Sequence, residues 1–137
     1  MKRILYIAIL FVLAGCSTEP VPQSSSIKLH FGYKYMQPAH DSLYPIYPNP
    51  FSRASGDTTF TIRFALKDTI TTTVIVQNVL GDAVASFSDS LLLPGFYTGS
   101  WNPFASDGTP LNSGFYFVTL RAGDFINSRL VFIQENE

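Results

Sequence analysis

The sequence predicts an all-β fold, an antiparallel β-sandwich of about seven strands. Three observations carry the prediction. From residue 43 onward apolar and polar residues alternate in short runs, which is the period of a half-buried strand. After the N-terminal apolar run, no stretch repeats at the period of an amphipathic helix. One Trp, seven Tyr and twelve Phe among 137 residues supply the bulk of a core that needs no disulfide. With 46% apolar and 14% charged residues, the chain is unlike a disordered one, which carries charge and few aromatics.

Taken in order, the elements begin with a leader. Lys2 and Arg3 precede an apolar run over residues 4–13. A bilayer span needs about 20 apolar residues, so the run reads as a secretory signal instead. It closes on Leu13-Ala14-Gly15-Cys16 and turns polar at once. These residues resemble a bacterial lipoprotein signal, whose lipobox ends in cysteine. The resemblance implies cleavage that leaves residues 1–15 as signal peptide. It also implies acylation of Cys16 by a diacylglycerol thioether and palmitate-type chains. Each buried methylene contributes about 0.8 kcal/mol, and two or three chains make attachment stable. Cys16 is the only cysteine. Removing Lys2 and Arg3 leaves seven basic and ten acidic side chains, a balance with no pull toward anionic lipid, so the acyl chains do the anchoring. Ser17 at the following position points to the outer membrane.

Residues 17–26 are small, polar and proline-containing and read as a flexible tether. Ile27, Leu29, Phe31, Tyr33 and Tyr35 then alternate with polar or small residues, which predicts a strand over 27–36. That strand either completes the sandwich or binds a partner. Residues 16–43 thus form the lipidated, tethered region, and 44–137 the sandwich. Tyr44-Pro45-Ile46-Tyr47-Pro48-Asn49-Pro50-Phe51 is extended, because proline fixes φ and biases its predecessor. Pro48 and Pro50 lack donors on the same side, which predicts an edge closed to further pairing. Strands follow at 59–66, 72–77, from 84, 96–101, 115–121 and 125–133. Lys67-Asp68, Leu80-Gly81, Pro94-Gly95 and Gly123-Asp124 punctuate them.

The order of these motifs is itself informative. Tyr47-Pro48-Asn49-Pro50-Phe51, Val79-Leu80-Gly81, Pro94-Gly95, Trp101, Asp107-Gly108 and Ser113-Gly114-Phe115-Tyr116 succeed one another at fixed spacing. Together they resemble the FlgD-type immunoglobulin-like domain, which overlaps with the C-terminal sorting domains of type IX secretion cargo. The resemblance covers about residues 44–133. It implies an immunoglobulin- or fibronectin-III-like sandwich in which Pro48, Asn49, Pro50 and Phe51 seal an edge. Gly81 and Gly114 serve turns, and Trp101 and Tyr116 plug the core. Three positions depart from the pattern. Asn102-Pro103 follows the tryptophan where Asp-Gly is usual. Gln77-Asn78 replaces a Tyr-Asp pair, although Asn can still make the local Asx bond. The last strand keeps only Arg129 as a basic residue and ends in an acidic tail, which is unlike a sorting signal.

Little in the chain suggests chemistry. The acids are scattered over turns, and two histidines and one cysteine exclude a Cys-rich zinc site. His40-Asp41-Ser42 are adjacent on a loop and cannot take up a relay geometry. Asp107-Gly108 lacks the run of oxygen ligands that calcium requires. There is no phosphate-binding glycine loop or nucleophile elbow. No basic patch faces nucleic acid, since nine Lys+Arg meet ten Asp+Glu. The expectation is a non-enzyme with no cofactor, no metal and no small-molecule substrate. It is held to the membrane through the lipid on Cys16, in the bacterial envelope, and contacts an envelope or secretion-system protein. The alternative is a type IX sorting domain recognised by the secretion machinery. Replacing Cys16 by Ser is expected to move the protein from the membrane fraction to the soluble one. Unchanged partitioning on fractionation would refute the anchor.

Overall fold

The computed structural model describes residues 25–31, 36–105 and 108–135. The signal, Cys16 and most of the tether lie outside the described residues. Among those described, the strands are β1 (Ser25–Ser26), β2 (Lys28–Phe31), β3 (Ser42–Leu43), β4 (Phe60–Leu66), β5 (Ile70–Asn78), β6 (Ala83–Leu92), β7 (Gly95–Trp101), β8 (Gly114–Ala122) and β9 (Phe125–Ile133). They form a five-stranded sheet in the order β1-β6-β5-β8-β9 and a four-stranded sheet in the order β2-β7-β4-β3. Every pairing is antiparallel except the two-residue contact of β1 with β6, which is parallel. The chain is therefore an all-β sandwich, as the alternation predicts.

Burial follows the predicted period. In β4, Phe60, Ile62, Phe64 and Leu66 are buried, and in β5, Thr72, Val74 and Val76 are. They meet Tyr116, Val118 and Leu120 of β8 and Val131 and Ile133 of β9. A ladder of rings crosses the interior. Phe51 stacks on Phe60 with centroids 4.7 Å apart, and Phe60 on Trp101 at 5.0 Å. Tyr116 meets Trp101 edge-on at 6.3 Å. Trp101 and Phe60 are fully enclosed, and truncating such a ring to alanine typically costs about 3–5 kcal/mol.

β6 extends further than the sequence suggested, through Ser86 to Leu92. Two register shifts against β5 accommodate it, as bulges do where a strand must bend. The Asn78 turn keeps its Asx geometry. Asn78 Oδ1 accepts from the backbone N–H of Leu80 at 3.0 Å and of Asp82 at 2.9 Å. Gly81 takes φ of 88° there, a conformation that favours glycine.

Two segments close the sides of the sandwich. On one side Ser25–Ser26 pairs with β6 in the five-stranded sheet, Ile27 dips into the core, and Lys28–Phe31 pairs with β7 in the other sheet. This corrects the tether reading for residues 25–26. It also places residues 28–31 in the four-stranded sheet, while residues 32–35 of the predicted strand lie outside the described residues. Gly99 of β7 makes room for the crossing: a Cβ there would lie 2.8 Å from Leu29 Cδ2 and 3.1 Å from Ile27 Cγ2.

On the other side, residues 42–51 pass between the sheets. Ser42 and Leu43 pair with β4, Tyr47 bridges Thr61, and Phe51 bridges Ile133. The sequence predicts a proline-blunted edge strand at 44–51. After β3, residues 44–51 form instead a strap that touches both sheets through single bridges. Tyr47 and Phe51 each pair for a single residue, and the prolines at 45, 48 and 50 offer no N–H with which to extend the pairing. Asn49 fills the gap with its side chain. Its Nδ2 donates to Leu130 O at 3.1 Å, and its Oδ1 accepts from Phe132 N at 3.0 Å. Phe51 N then donates to Phe132 O, and Gln134 N to Phe51 O, each at 2.8 Å. Arg129 adds a clamp by donating from Nε and Nη2 to Leu43 O at 3.1 and 2.8 Å.

Asn49→Ala removes both side-chain bonds and leaves Phe132 N–H and Leu130 O to solvent. At about 1 kcal/mol per bond, it is expected to lower unfolding free energy by roughly 1–2 kcal/mol in a urea titration. A change below about 0.3 kcal/mol, against that per-bond figure, would mean that the strap does not depend on Asn49.

Candidate interaction surface

The residues singled out by motif fall into two places. Phe51, Trp101 and Tyr116 meet in the core around Phe60. Pro48, Asn49 and Pro50 lie on the strap beside β9. Gly114 opens β8 with φ of 143°, and Gly81 sits in the β5–β6 turn, away from the rings. Cys16 and Asp107 lie outside the described residues. His40 is exposed. Asp41 Oδ1 accepts from Lys67 N at 2.9 Å, which gives it a turn-capping role. Among the described residues no three His, Cys, Asp or Glu side chains are gathered as a metal site would need.

The surface that sequence reasoning missed is the outer face of the five-stranded sheet. β8 and β9 pair Phe115 with Phe132, Phe117 with Leu130, Thr119 with Ser128 and Arg121 with Ile126. The intervening residues Tyr116, Val118 and Leu120 point inward, so this row points out. Phe115 is 50% exposed, Phe117 41% and Leu130 48%. The Phe115 and Phe132 rings lie 4.9 Å apart. The Thr119 and Ser128 hydroxyls share a hydrogen bond of 2.7 Å. On β5 the same face carries Thr73, Ile75 and Gln77. No acidic residue stands at any of these outward positions, although the chain has ten. The signal was legible in Phe115-Tyr116-Phe117-Val118, where both phases of the alternation are apolar. One phase faces the core, and the other has no core to face.

At the Phe132 end of this face the surface sinks into a groove. Ser52, Ala54, Phe132, Gln134 and Glu135 line a first hollow of about 360 Å³. Arg53, Leu111, Asn112, Ser113, Gln134 and Glu135 help to line a second of about 520 Å³. Arg53 sits in a single 3-10 turn, Arg53–Ser55. Ser52 caps it through a 3.3 Å bond from Ser55 N to its Oγ. Asp57 fixes Ser52 N in turn at 2.8 Å. The Arg53 guanidinium lies 5.5 Å from the centroids of both Phe51 and Phe104, a cation–π contact with each. Its Nη2 donates to Pro103 O at 2.7 Å. Its Nε is buried and has no partner among the described residues. Tyr116, close by, donates its hydroxyl to Asn112 O at 3.0 Å. Burial raises its pKa above the ordinary 10.0, and the positive charge of Arg53 opposes that rise.

No family model matches the chain, and no curated protein does. Among solved structures, it is similar to PorZ, described as an essential bacterial surface component of the type-IX secretion system of Porphyromonas gingivalis. The identity is 21% and the TM-score 0.49, over 68% of this chain and 11% of that one. The chain therefore corresponds to about a tenth of the length of PorZ.

Proposed function

We propose that the chain is a lipid-anchored protein of the bacterial cell envelope whose sandwich is a non-catalytic protein-interaction module. Two features support this reading. The lipobox ending at Cys16 supports the anchor. The apolar outer face of β8 and β9 is the observation that carries the interaction role. An exposed cluster of phenylalanine and leucine costs solubility and contributes nothing to this core. The largest apolar patch on a monomer is typically about 300–600 Å² and is often functional. The exposures of Phe115, Phe117 and Leu130 leave on the order of 300 Å² of apolar surface. A stable interface buries about 800 Å² per partner, so the contact is either transient or continues into the neighbouring groove. Tether and lipid would hold the sandwich near its partner and raise the effective concentration of the encounter. The ordered motif set from Pro48 to Tyr116 supports a second reading, that of a type IX sorting domain.

A photo-cross-linking residue placed at Phe117 in living cells is expected to give a discrete adduct that Leu130→Ser weakens. The same residue at Thr98, in the other sheet, is expected to give none. Equal labelling at both positions, or none at either, would sink the interaction reading. Delivery to the cell surface of a secreted reporter fused to residues 44–137 would favour the sorting domain in its place.

A further inference from the structure

We propose that the Val79–Leu80 tip of the β5–β6 hairpin rests in the lipid surface to which Cys16 anchors the chain, so that the sandwich stands on that end. The inference rests on the lipid-anchor reading and adds to it an orientation and a second contact with lipid. Two observations carry it, and a third sets the kind of lipid.

The first is the tip itself. Leu80 is 83% exposed and Val79 68%. The turn that presents them is held without help from either side chain. Asn78 N donates to Asp82 O and Gly81 N to Asn78 O, each at 3.0 Å. Asn78 Oδ1 accepts from Leu80 N and Asp82 N, and Gln77 Nε2 donates to Gly81 O at 2.9 Å. Polar residues suit such a turn, so nothing in the hairpin calls for two apolar ones. The carboxylate of the adjacent Asp82 is engaged, accepting from Asn78 Nδ2 at 3.2 Å.

The second is where the anchored chain enters. Ser25 pairs with Ala85 and Ser26 with Ser86, and the pairing is parallel. The N-terminal end of β1 therefore faces the turn. Ala85 stands three residues past Asp82, which puts Ser25 about 10 Å along the strand from the turn. Nine residue steps separate Cys16 from Ser25, about 30 Å at full extension. The tip is thus close to the point from which the anchor's reach is measured. Exposure alone does not choose this end, because Leu91 and Leu93 are 71% and 64% exposed where β6 turns into β7. Leu91, however, lies six residues past Ala85, about 20 Å farther from the anchor. Seating that end on lipid would take up about two thirds of the same reach.

The third is charge. Toward the tip's end stand Lys28 and Arg53 with Asp57, Asp82 and Glu135. That balance has no surplus of basic groups to seek anionic lipid. The contact is therefore apolar, with side chains entering the boundary of headgroups and acyl chains. The anchor supplies the high effective concentration that so small a contact needs. Asn78 pairs with Tyr116, and Gly114 with Ile133, so the Phe115–Phe132 end of the apolar face lies toward the same end. With the tip seated, that face stands upright on the membrane and opens sideways to a partner held in it.

The test uses the acylated full chain in vesicles of phosphatidylcholine, which carry no net charge. Leu80→Cys and Leu91→Cys each receive the environment-sensitive dye NBD, since an acylated Cys16 has no free thiol. Spin-labelled lipid then quenches whichever dye lies among the acyl chains. Blue-shifted emission at position 80, quenched at least threefold more strongly than at position 91, is expected. Val79→Asp beside the label is expected to cut that quenching at least twofold. Equal quenching at the two positions, or quenching that Val79→Asp leaves unchanged, would overturn the proposal. So would a dye at position 80 that is shielded in native membranes and not in protein-free vesicles, which would assign the tip to a protein partner. Failure of the anchor looks different. Dye on the unaltered chain, or protein that does not float with the vesicles, would refute the Cys16 reading and this inference together. A tip that stays in water on a protein that floats would overturn the inference alone.

Discussion

One side-chain amide does the work of the missing backbone donors. Between Pro48 and Pro50 the chain has no N–H to offer except that of Asn49, yet the edge of β9 presents both a donor and an acceptor. Asn49 meets them with Oδ1 on Phe132 N and Nδ2 on Leu130 O. Much else depends on that contact. It fixes where the strap leaves the four-stranded sheet at Tyr47 and joins the five-stranded one at Phe51. Phe51 can then stack on Phe60, and two residues later Arg53 enters its place against Phe51 and Phe104. Edge sealing, core packing and groove are consecutive consequences of one crossing.

The crossing at residues 25–31 performs the matching task on the opposite side, by different means. There the chain uses backbone pairing on both sheets and a buried Ile27 between them, with Gly99 giving way on β7. A sandwich closed on both sides has few edges on which a partner strand could add. That directs attention to its faces, and the faces differ. The outer face of the five-stranded sheet is apolar at the Phe115–Phe132 end. The four-stranded sheet turns Thr61, Arg63, Thr98 and Ser100 outward, with Arg63 laid 5.2 Å from the Tyr47 ring centroid.

The strands of the fold were legible because burial on one face imposes a period of two, which β5 keeps along its buried stretch and β4 keeps from Phe60 to Phe64. Where the pattern failed, the cause is local. In β6 the run Ser86 to Ser90 carries Phe87 as its one apolar residue, and the register shifts against β5 interrupt its alternation. The strap reads as an edge because prolines announce lost donors but not which sheet loses them. The outer aromatic row was visible as apolar residues in both phases of β8, yet periodicity assigns only one phase to the core. Arg53 was not legible at all. Its ring partner Phe104 and its acceptor Pro103 stand some fifty residues away along the chain, and no local spacing brings them together.

The central claim is that the strap, pinned by Asn49, is an integral part of the sandwich. Native-state hydrogen exchange of the Phe51, Phe132 and Gln134 amides tests it most directly. These amides are predicted to exchange as slowly as those of β8, through global unfolding, and to speed up selectively when Asn49 becomes Ala. Rapid exchange of the three in the unaltered protein, with β8 still protected, would show a strap that opens on its own and would contradict the account.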